Sequence, residues 1–309
     1  MDVISLSWPP LHRIGFGTAY LLDGRTRADA IRLLDFAIDE GVRYFDTARM
    51  YCGGMAEGVV GEVARRRGHK MFIATKAGLL PPSGSAAARA ARKLSRRVGM
   101  APPIFARPPA HQFRRDQLNA SLEASLRELG TERIDLLLLH EIALTDMTDE
   151  LFETLHALTS AGKVGAYGLA TGRAETRTIA AAHPGRFAFA QVPDSLWDRR
   201  EGPLNTSGIA VVGSHSIMGT PFADLRRRLA GDDQLLRQWS DALGFDAHDA
   251  GRLAKVFLAE ALDANLAGPV LFSSGNANNI RANVEVLEGA ADQPIAELRS
   301  LLASAQVPV

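Results

Sequence analysis

Four side chains able to move or tune a proton stand where apolar runs of this sequence end. They are Asp46 and Tyr51 in "RYFDTARMY", Lys76 in "FIATKAG" and His140 in "IDLLLLHE". A free tyrosine holds its proton up to a pH of about 10, too high for easy acid–base work at neutrality. A lysine ammonium a few ångströms away favours the phenolate and pulls that value down. A half-buried lysine in turn needs a counter-charge, which Asp46 can supply. An imidazole beside them can hold a substrate oxygen by a hydrogen bond. Each residue alone has an ordinary reading: Asp46 as a loop cap, Tyr51 as packing, His140 as a satisfied core histidine. Lys76 fits that pattern least, because an unpaired buried lysine is costly.

The elements that must position these groups follow from hydrophobic periodicity. Apolar, β-branched runs fall at 13–19, 43–48, 70–77, 134–141, 164–171, 187–193, 209–215 and 269–275. Stretches of helical period lie between most of them, the alternation of βαβ units. In "TRADAIRLLDFAIDEG", Thr26 reads as an N-cap with Asp29 three residues on; Ile31, Leu34 and Ile38 share a face, and Gly41 is a stop. "LNASLEASLRELG" (118–130) and "LFETLHALTSAG" (151–162) repeat the design. Eight strand–helix pairs predict an α/β fold, a single (β/α)8 TIM barrel over residues 1–309 with long loops after strands 3 and 7. The competitor is a doubly wound open sheet. Its glycine fingerprint is missing, since "GFGTAY" carries Gly15 and Gly17 but no third glycine at the needed spacing.

Composition narrows the class. Lys plus Arg and Asp plus Glu number 35 each, so nothing points to nucleic acid or a membrane surface. One cysteine, Cys52, excludes an internal disulfide framework and a cysteine-based zinc site; no metal site is expected. A reducing compartment and a cytoplasmic location are expected, with no signal peptide in "MDVISLSWPPLHRIGFG". No apolar run is long enough to span a bilayer. The chain is expected to act as a monomer or weak homo-oligomer.

Taken together, "GVRYFDTARMY", "GMAEGVVGE", "ATKAG", "IDLLLLHE", "SAGKVGAYGLAT", "AQVPDSLWDR" and "SSGNANNIRANVEVL" resemble the aldo-keto reductase superfamily over nearly the whole chain. The resemblance implies a (β/α)8 barrel that moves a hydride between NADP(H) or NAD(H) and the carbonyl carbon of a small aldehyde, ketone, aldose or alcohol. It implies Tyr51 as general acid/base, Lys76 and Asp46 as its tuning pair, and His140 as the group orienting the carbonyl. Gln191 matches the glutamine that holds the nicotinamide carboxamide. The usual Ser-Asn pair ending strand five is here Ala170-Thr171, so only Thr171 can hydrogen-bond there.

The aromatic that often follows strand seven is absent, and "VGSHSIMG" resembles the subgroup with a serine there. Ser214 and Ser216 are the candidates, with backbone N–H groups near Ser216, Met218 and Gly219 for the pyrophosphate. After strand eight the residues aligned with the 2′-phosphate contacts are Ser273, Ser274, Asn279 and Asn283, without the usual lysine and arginine. That loss predicts a weakened preference for NADP, unless a basic loop residue supplies the charge.

Two alternatives stay open: a barrel lyase using Lys76 as a Schiff-base nucleophile, and a cofactor-binding sensor or partner subunit without turnover. The basic segment holding Arg89, Arg92, Lys93, Arg96, Arg97 and Arg107 reads either as a solvated loop or as a field drawing in anions. Cys52 reads as a small residue or an oxidisable thiol. The short C-terminal tail lacks aromatics, leaving the 79–112 loop and Trp197 to line a pocket, with packing an equal reading for Trp197.

Overall fold

The computed structural model describes residues 13–81, 112–201, 204 and 208–304. Its eight strands are β1 (Ile14–Gly17), β2 (Tyr44–Asp46), β3 (Phe72–Ala77), β4 (Ile134–His140), β5 (Val164–Ala170), β6 (Phe189–Pro193), β7 (Val211–His215) and β8 (Val270–Phe272). All pair in parallel and in sequence order, and β1 returns to β8 to close a barrel. Each lies inside the run predicted for it, so the doubly wound alternative is set aside. Helices α1 (Arg27–Asp39), α2 (Ala56–Arg67), α3 (Arg115–Leu129), α4 (Asp149–Ser160) and α5 (Arg173–Ala182) flank β1 to β6. The connection from β7 to β8 carries three helices, α6 (Gly219–Gly231), α7 (Asp233–Leu243) and α8 (Ala250–Ala264). The chain finishes with α9 (Ala277–Gly289) and α10 (Ile295–Ser304). The basic segment from Arg89 to Arg107 lies outside the described residues.

Local chemistry sets the helix ends as expected. The Thr26 hydroxyl accepts from the Asp29 N–H, and the Asp29 carboxylate accepts from the Thr26 N–H at 3.2 Å, a reciprocal cap for α1. Gly130 ends α3 in the left-handed conformation, at φ 65°.

Side chains alternate across each strand, so residues two apart share a face. The inward set Tyr44, Ala74, Leu136, Leu138, Ala166, Phe189 and Leu271 fills the barrel interior. Tyr44 stacks between Phe72 and Phe189, with centroids 5.6 and 6.3 Å away. Two residues further along the same faces stand Asp46, Lys76, His140 and Gln191. The apolar plug therefore ends in a polar layer at the carboxyl ends of the strands, where barrel chemistry is built. The outward faces pack on the helices as one continuous core. A second cluster joins Trp197, Trp239, Phe257, Leu253, Leu298 and Leu301 beneath α6, α7, α8 and α10. Among the described residues no helix is long and apolar enough to cross a membrane.

Room for the aromatic plug comes from small inward residues. A Cβ added at Gly168 would lie 2.2 Å from the Phe189 carbonyl oxygen on the neighbouring strand. Backbone, unlike a flexible side chain, cannot step aside cheaply. Gly168→Ala is expected to destabilise the fold by about 1–3 kcal/mol, read as a lowered urea midpoint; an unchanged midpoint would show that this close approach is not rigid.

Candidate active site

The site begins with β2. Its last residue, Asp46, is buried, and its carbonyl accepts from both the N–H and the hydroxyl of Thr18, each at 2.9 Å. The chain then turns through a short 3-10 segment, Tyr51–Gly54, in which Cys52 is left-handed at φ 53°. The Cys52 thiol lies 3.5 Å from the Thr18 carbonyl and 3.6 Å from that of Ala19, tucked under the β1–α1 loop. This turn brings the Tyr51 ring to the carboxyl ends of β3 and β4, beside Lys76 and His140.

Lys76 rises from β3 with its side chain 1% exposed. Its ammonium forms an ion pair with Asp46, donates to the Thr47 carbonyl at 3.1 Å, and sits 4.7 Å from the Tyr51 ring centroid. The His140 ring meets the Tyr51 ring edge-on, centroids 6.1 Å apart and planes at 88°. The structure thus brings Asp46, Tyr51, Lys76 and His140 into one cluster at the barrel mouth.

Electrostatics refine the expectation for Tyr51. Burial pushes its phenol above the usual tyrosine value; the Lys76 ammonium pulls it down, and Asp46 pushes it up again. The net direction is upward, because Lys76 is largely spent on Asp46 and the dry surroundings penalise the phenolate. The lysine is held above its ordinary value: burial acts to lower it, but Asp46 and then Tyr51 outweigh burial. For Asp46, burial pushes the carboxyl up against the pull of Lys76 and of a hydrogen bond from Gln191.

Gln191 ends the inward face of β6 and is 4% exposed. Its amide donates to Asp46, while its Oε1 is buried with no hydrogen-bond partner among the described residues. A buried acceptor without a donor is costly to leave so, and a carboxamide N–H₂ is the donor it fits. The residues at this position therefore suit a nicotinamide ring.

Other predicted contacts are engaged elsewhere. The Thr171 hydroxyl lies 2.7 Å from that of Thr176 on α5. Ser214 is fully buried, donating to Asp194 at 2.7 Å and accepting from Asn265 at 2.9 Å. It belongs to a packed network in which Arg173 binds Asp194 at 2.6 Å and Arg199 bridges Asp194 and Glu260. Ser216 is left-handed at φ 54°, its hydroxyl 2.9 Å from His215 Nδ1, and Gly219 opens α6 at φ 56°. Beyond β8, Ser273 donates to the Gly17 carbonyl at 2.9 Å, and Ser274 closes a turn with Asn276. Asn279 and Asn283 lie on α9. Of the two readings of Trp197, packing holds: it is 5% exposed and stacks on Phe257, with centroids 5.5 Å apart. Its flat apolar area is better used beneath the loop than above it.

One contributor escaped the sequence, and a second, His215, stood in it without an assigned role. Glu57, in the first turn of α2 and 1% exposed, accepts from Thr75 at 2.6 Å and from Arg49 at 3.2 Å. It ties the loop that carries Tyr51 to the strand that carries Lys76. A buried glutamate flanked by "DTAR" and "ATK" was the available signal. His215 ends β7, and burial together with the Lys76 charge lowers its imidazole to about 4. Among the described residues no group of three or more His, Cys, Asp or Glu is placed to hold a metal ion.

The strands close a barrel whose mouth gathers a buried ion pair, a phenol and an imidazole. Residues 13–302 match the aldo/keto reductase family profile, and the chain belongs to that family. Among curated proteins it is similar to an uncharacterized oxidoreductase, YqkF, of Bacillus subtilis (29% identical over 161 residues, 52% of this chain and 45% of the relative). It is also similar to pyridoxal 4-dehydrogenase of Microbacterium luteolum (31% over 184 residues, 50% and 51%). The chain thus spans about half the length of the curated relatives it matches. Among solved structures, the holo form of an aldo-keto reductase from Bacillus halodurans superposes with TM-score 0.68 at 20% identity, covering 97% of this chain and 94% of the other. An aldo-keto reductase from Klebsiella pneumoniae in complex with NADPH superposes with TM-score 0.62 at 21% identity, covering 90% and 86%.

The His215 environment has a pH consequence. An unfolded histidine takes its proton near 6.5, whereas native His215 resists until about 4. Between those values the unfolded chain binds more protons, so this contribution to stability falls as pH drops from about 6.5 towards 4. An imidazole NMR titration is expected to show His215 neutral at pH 5, and His215→Gln should flatten the acid limb of the stability curve. A midpoint near 6.5 would mean that the ring is neither desolvated by burial nor under the Lys76 charge.

Proposed function

We propose that this protein is an NAD(P)(H)-dependent oxidoreductase that interconverts a small carbonyl compound and its alcohol, with Tyr51 as the proton donor and acceptor. The observation that carries this reading is the buried Lys76–Asp46 pair beneath the Tyr51 ring, with His140 at its edge. A nicotinamide, when bound, supplies or receives the hydride. Gln191 would hold its carboxamide. The turn from Ser216 to Gly219 would take the pyrophosphate, and the Ser273, Ser274, Asn279 and Asn283 segment would take the adenosine end.

The protein's own part is the proton. A carbonyl oxygen lying between the Tyr51 hydroxyl and the His140 imidazole accepts a hydrogen bond from each. As negative charge builds on that oxygen, the phenol proton passes to it and leaves a phenolate beside the Lys76 ammonium. Lys76 stabilises that phenolate, and Asp46 keeps Lys76 charged. A phenol with a raised pKa stays protonated at neutral pH, yet remains far more acidic than the alcohol it helps to form. Alcohol oxidation runs the same transfer backwards.

The Schiff-base reading is disfavoured by the same pair. An amine nucleophile must be neutral, and Asp46 holds Lys76 protonated. The sensor reading draws on Thr171 and Ser214, whose hydroxyls are engaged within the protein.

The test is cofactor oxidation across a panel of aldehydes, ketones and aldoses. It should include pyridoxal, which the name of one relative mentions. Tyr51→Phe should lower kcat by about 10²–10⁴-fold while cofactor affinity stays within about twofold of the parent. Full turnover in that variant would remove Tyr51 as the donor. Binding without turnover in the parent protein would favour the sensor.

A further inference from the structure

One segment holds three consecutive residues of β3. The N–H of Thr47 donates to the Ala74 carbonyl at 2.8 Å. Inside the barrel, the Asp46 carboxylate and the Thr47 carbonyl hold the Lys76 ammonium. Thr75 stands between those two in sequence, and strand alternation turns its side chain to the opposite face. There its fully buried hydroxyl donates to the Glu57 carboxylate at 2.6 Å. Residues 46–57 therefore clasp β3 from within the barrel and from outside it. Tyr51 rides on the stretch between the two grips.

The outer grip is built on charge. Glu57 is 1% exposed, and a carboxylate so dry needs a counter-charge. Arg49, two residues before Tyr51, supplies it through Nη1 at 3.2 Å, with its own side chain 17% exposed. The chain Arg49–Glu57–Thr75 thus pins the start of the Tyr51 turn to the strand that carries Lys76. Neither end can move far without leaving a buried charged group unsatisfied.

The spacing held in this way is the one the proposed chemistry uses. The Lys76 ammonium sits 4.7 Å from the Tyr51 ring centroid. Facing the phenol are Lys76 from β3, Asp46 from β2, Tyr20 from the β1–α1 loop and His140 from β4. Lys76 pulls the phenol down, whereas Asp46 and Tyr20 push it up. A Coulombic pull weakens with distance, so a wider gap to Lys76 leaves the phenol harder to ionise.

We propose that Glu57, acting through Thr75 and Arg49, is a positioning residue that sets the Tyr51–Lys76 spacing and with it the rate at which Tyr51 takes a proton from an alcohol. This rests on the reading of Tyr51 as the proton donor and acceptor. The effect is one-sided. Alcohol oxidation needs the phenolate as a base, and a looser clasp slows it. Carbonyl reduction starts from the phenol, already the populated form at neutral pH, and falls less.

The test uses the full chain carrying Thr75→Val, Thr75→Ser or Glu57→Gln. Two quantities are followed against pH: kcat for alcohol oxidation, and the NMR shift of the Tyr51 Cζ, assigned with Tyr51→Phe. Thr75→Val removes a hydroxyl and no charge. It should move both midpoints up by about 0.5–1 pH unit, slowing oxidation about 3–10-fold below the midpoint. Thr75→Ser, which keeps the donor, should return both to the parent values. Glu57→Gln should shift them upward as well, although deleting a nearby negative charge would by itself lower the phenol.

A lowered urea midpoint with both pH midpoints unchanged would reduce Glu57 to a stabiliser of the fold and overturn the proposal. So would a downward shift in Glu57→Gln with none in Thr75→Val, which would make Glu57 a distant charge rather than a clasp. Should Glu57→Gln fail to fold, Thr75→Val and its Thr75→Ser control decide alone. If the parent turns over no carbonyl or alcohol, the proposed function falls, while the Cζ titration still accepts or rejects the clasp.

Discussion

The constraint on which the rest depends is the burial of one opposite-charge pair, Asp46 and Lys76, at the open end of an apolar barrel. Neither charge would be tolerated there alone, since removing one partner leaves an unpaired buried ion. Together, with the Thr47 carbonyl on the ammonium and the Gln191 amide on the carboxylate, they are satisfied. The pair lies directly above the layer made by Tyr44, Ala74, Leu138 and Phe189. That layer excludes water from below, strengthens the Coulombic attraction and raises the cost of any rearrangement. A phenol standing over such a pair has a cation available to stabilise its conjugate base, and little water to compete for it.

Much of the surrounding structure serves to keep that geometry. Glu57 fastens the Arg49 loop to Thr75, so Tyr51 and Lys76 cannot drift apart independently. On the opposite side of the mouth the linked set Arg173, Asp194, Arg199 and Glu260 supports the ends of β5, β6 and β7. Ser214 and Asn265 extend it into the β7–β8 region. In both places buried carboxylates are satisfied by several donors from separate elements. Such arrangements tolerate no small displacement without leaving a charged group unpaired. Rigidity here is therefore electrostatic as much as steric.

The same accounting separates groups free to meet a ligand from groups already taken. Thr171 and Ser214 carry the right chemistry for cofactor contacts, yet their hydroxyls are occupied by Thr176, Asp194 and Asn265. Gln191 Oε1 retains unused capacity. Residue type makes a hydrogen bond available; only the neighbours decide whether it is already spent.

That distinction separates what the sequence determined from what the fold decided. Eight alternating runs, the Thr26 cap with Asp29, and the glycine at the end of α3 are local signals, set by side-chain period and backbone sterics. They were legible without coordinates, and so were Asp46, Tyr51, Lys76 and His140, because an ionisable residue at or just past the end of a buried strand is visible in one dimension. Glu57 bridging Arg49 and Thr75, Trp197 packing on Phe257, and the upward pull on the Tyr51 phenol were not legible. Each depends on how much water and which charges surround a group, and therefore on pairs far apart in the chain. The Arg25 guanidinium on the Gly275 carbonyl is the plainest case, since 250 residues separate them until barrel closure sets β1 against β8.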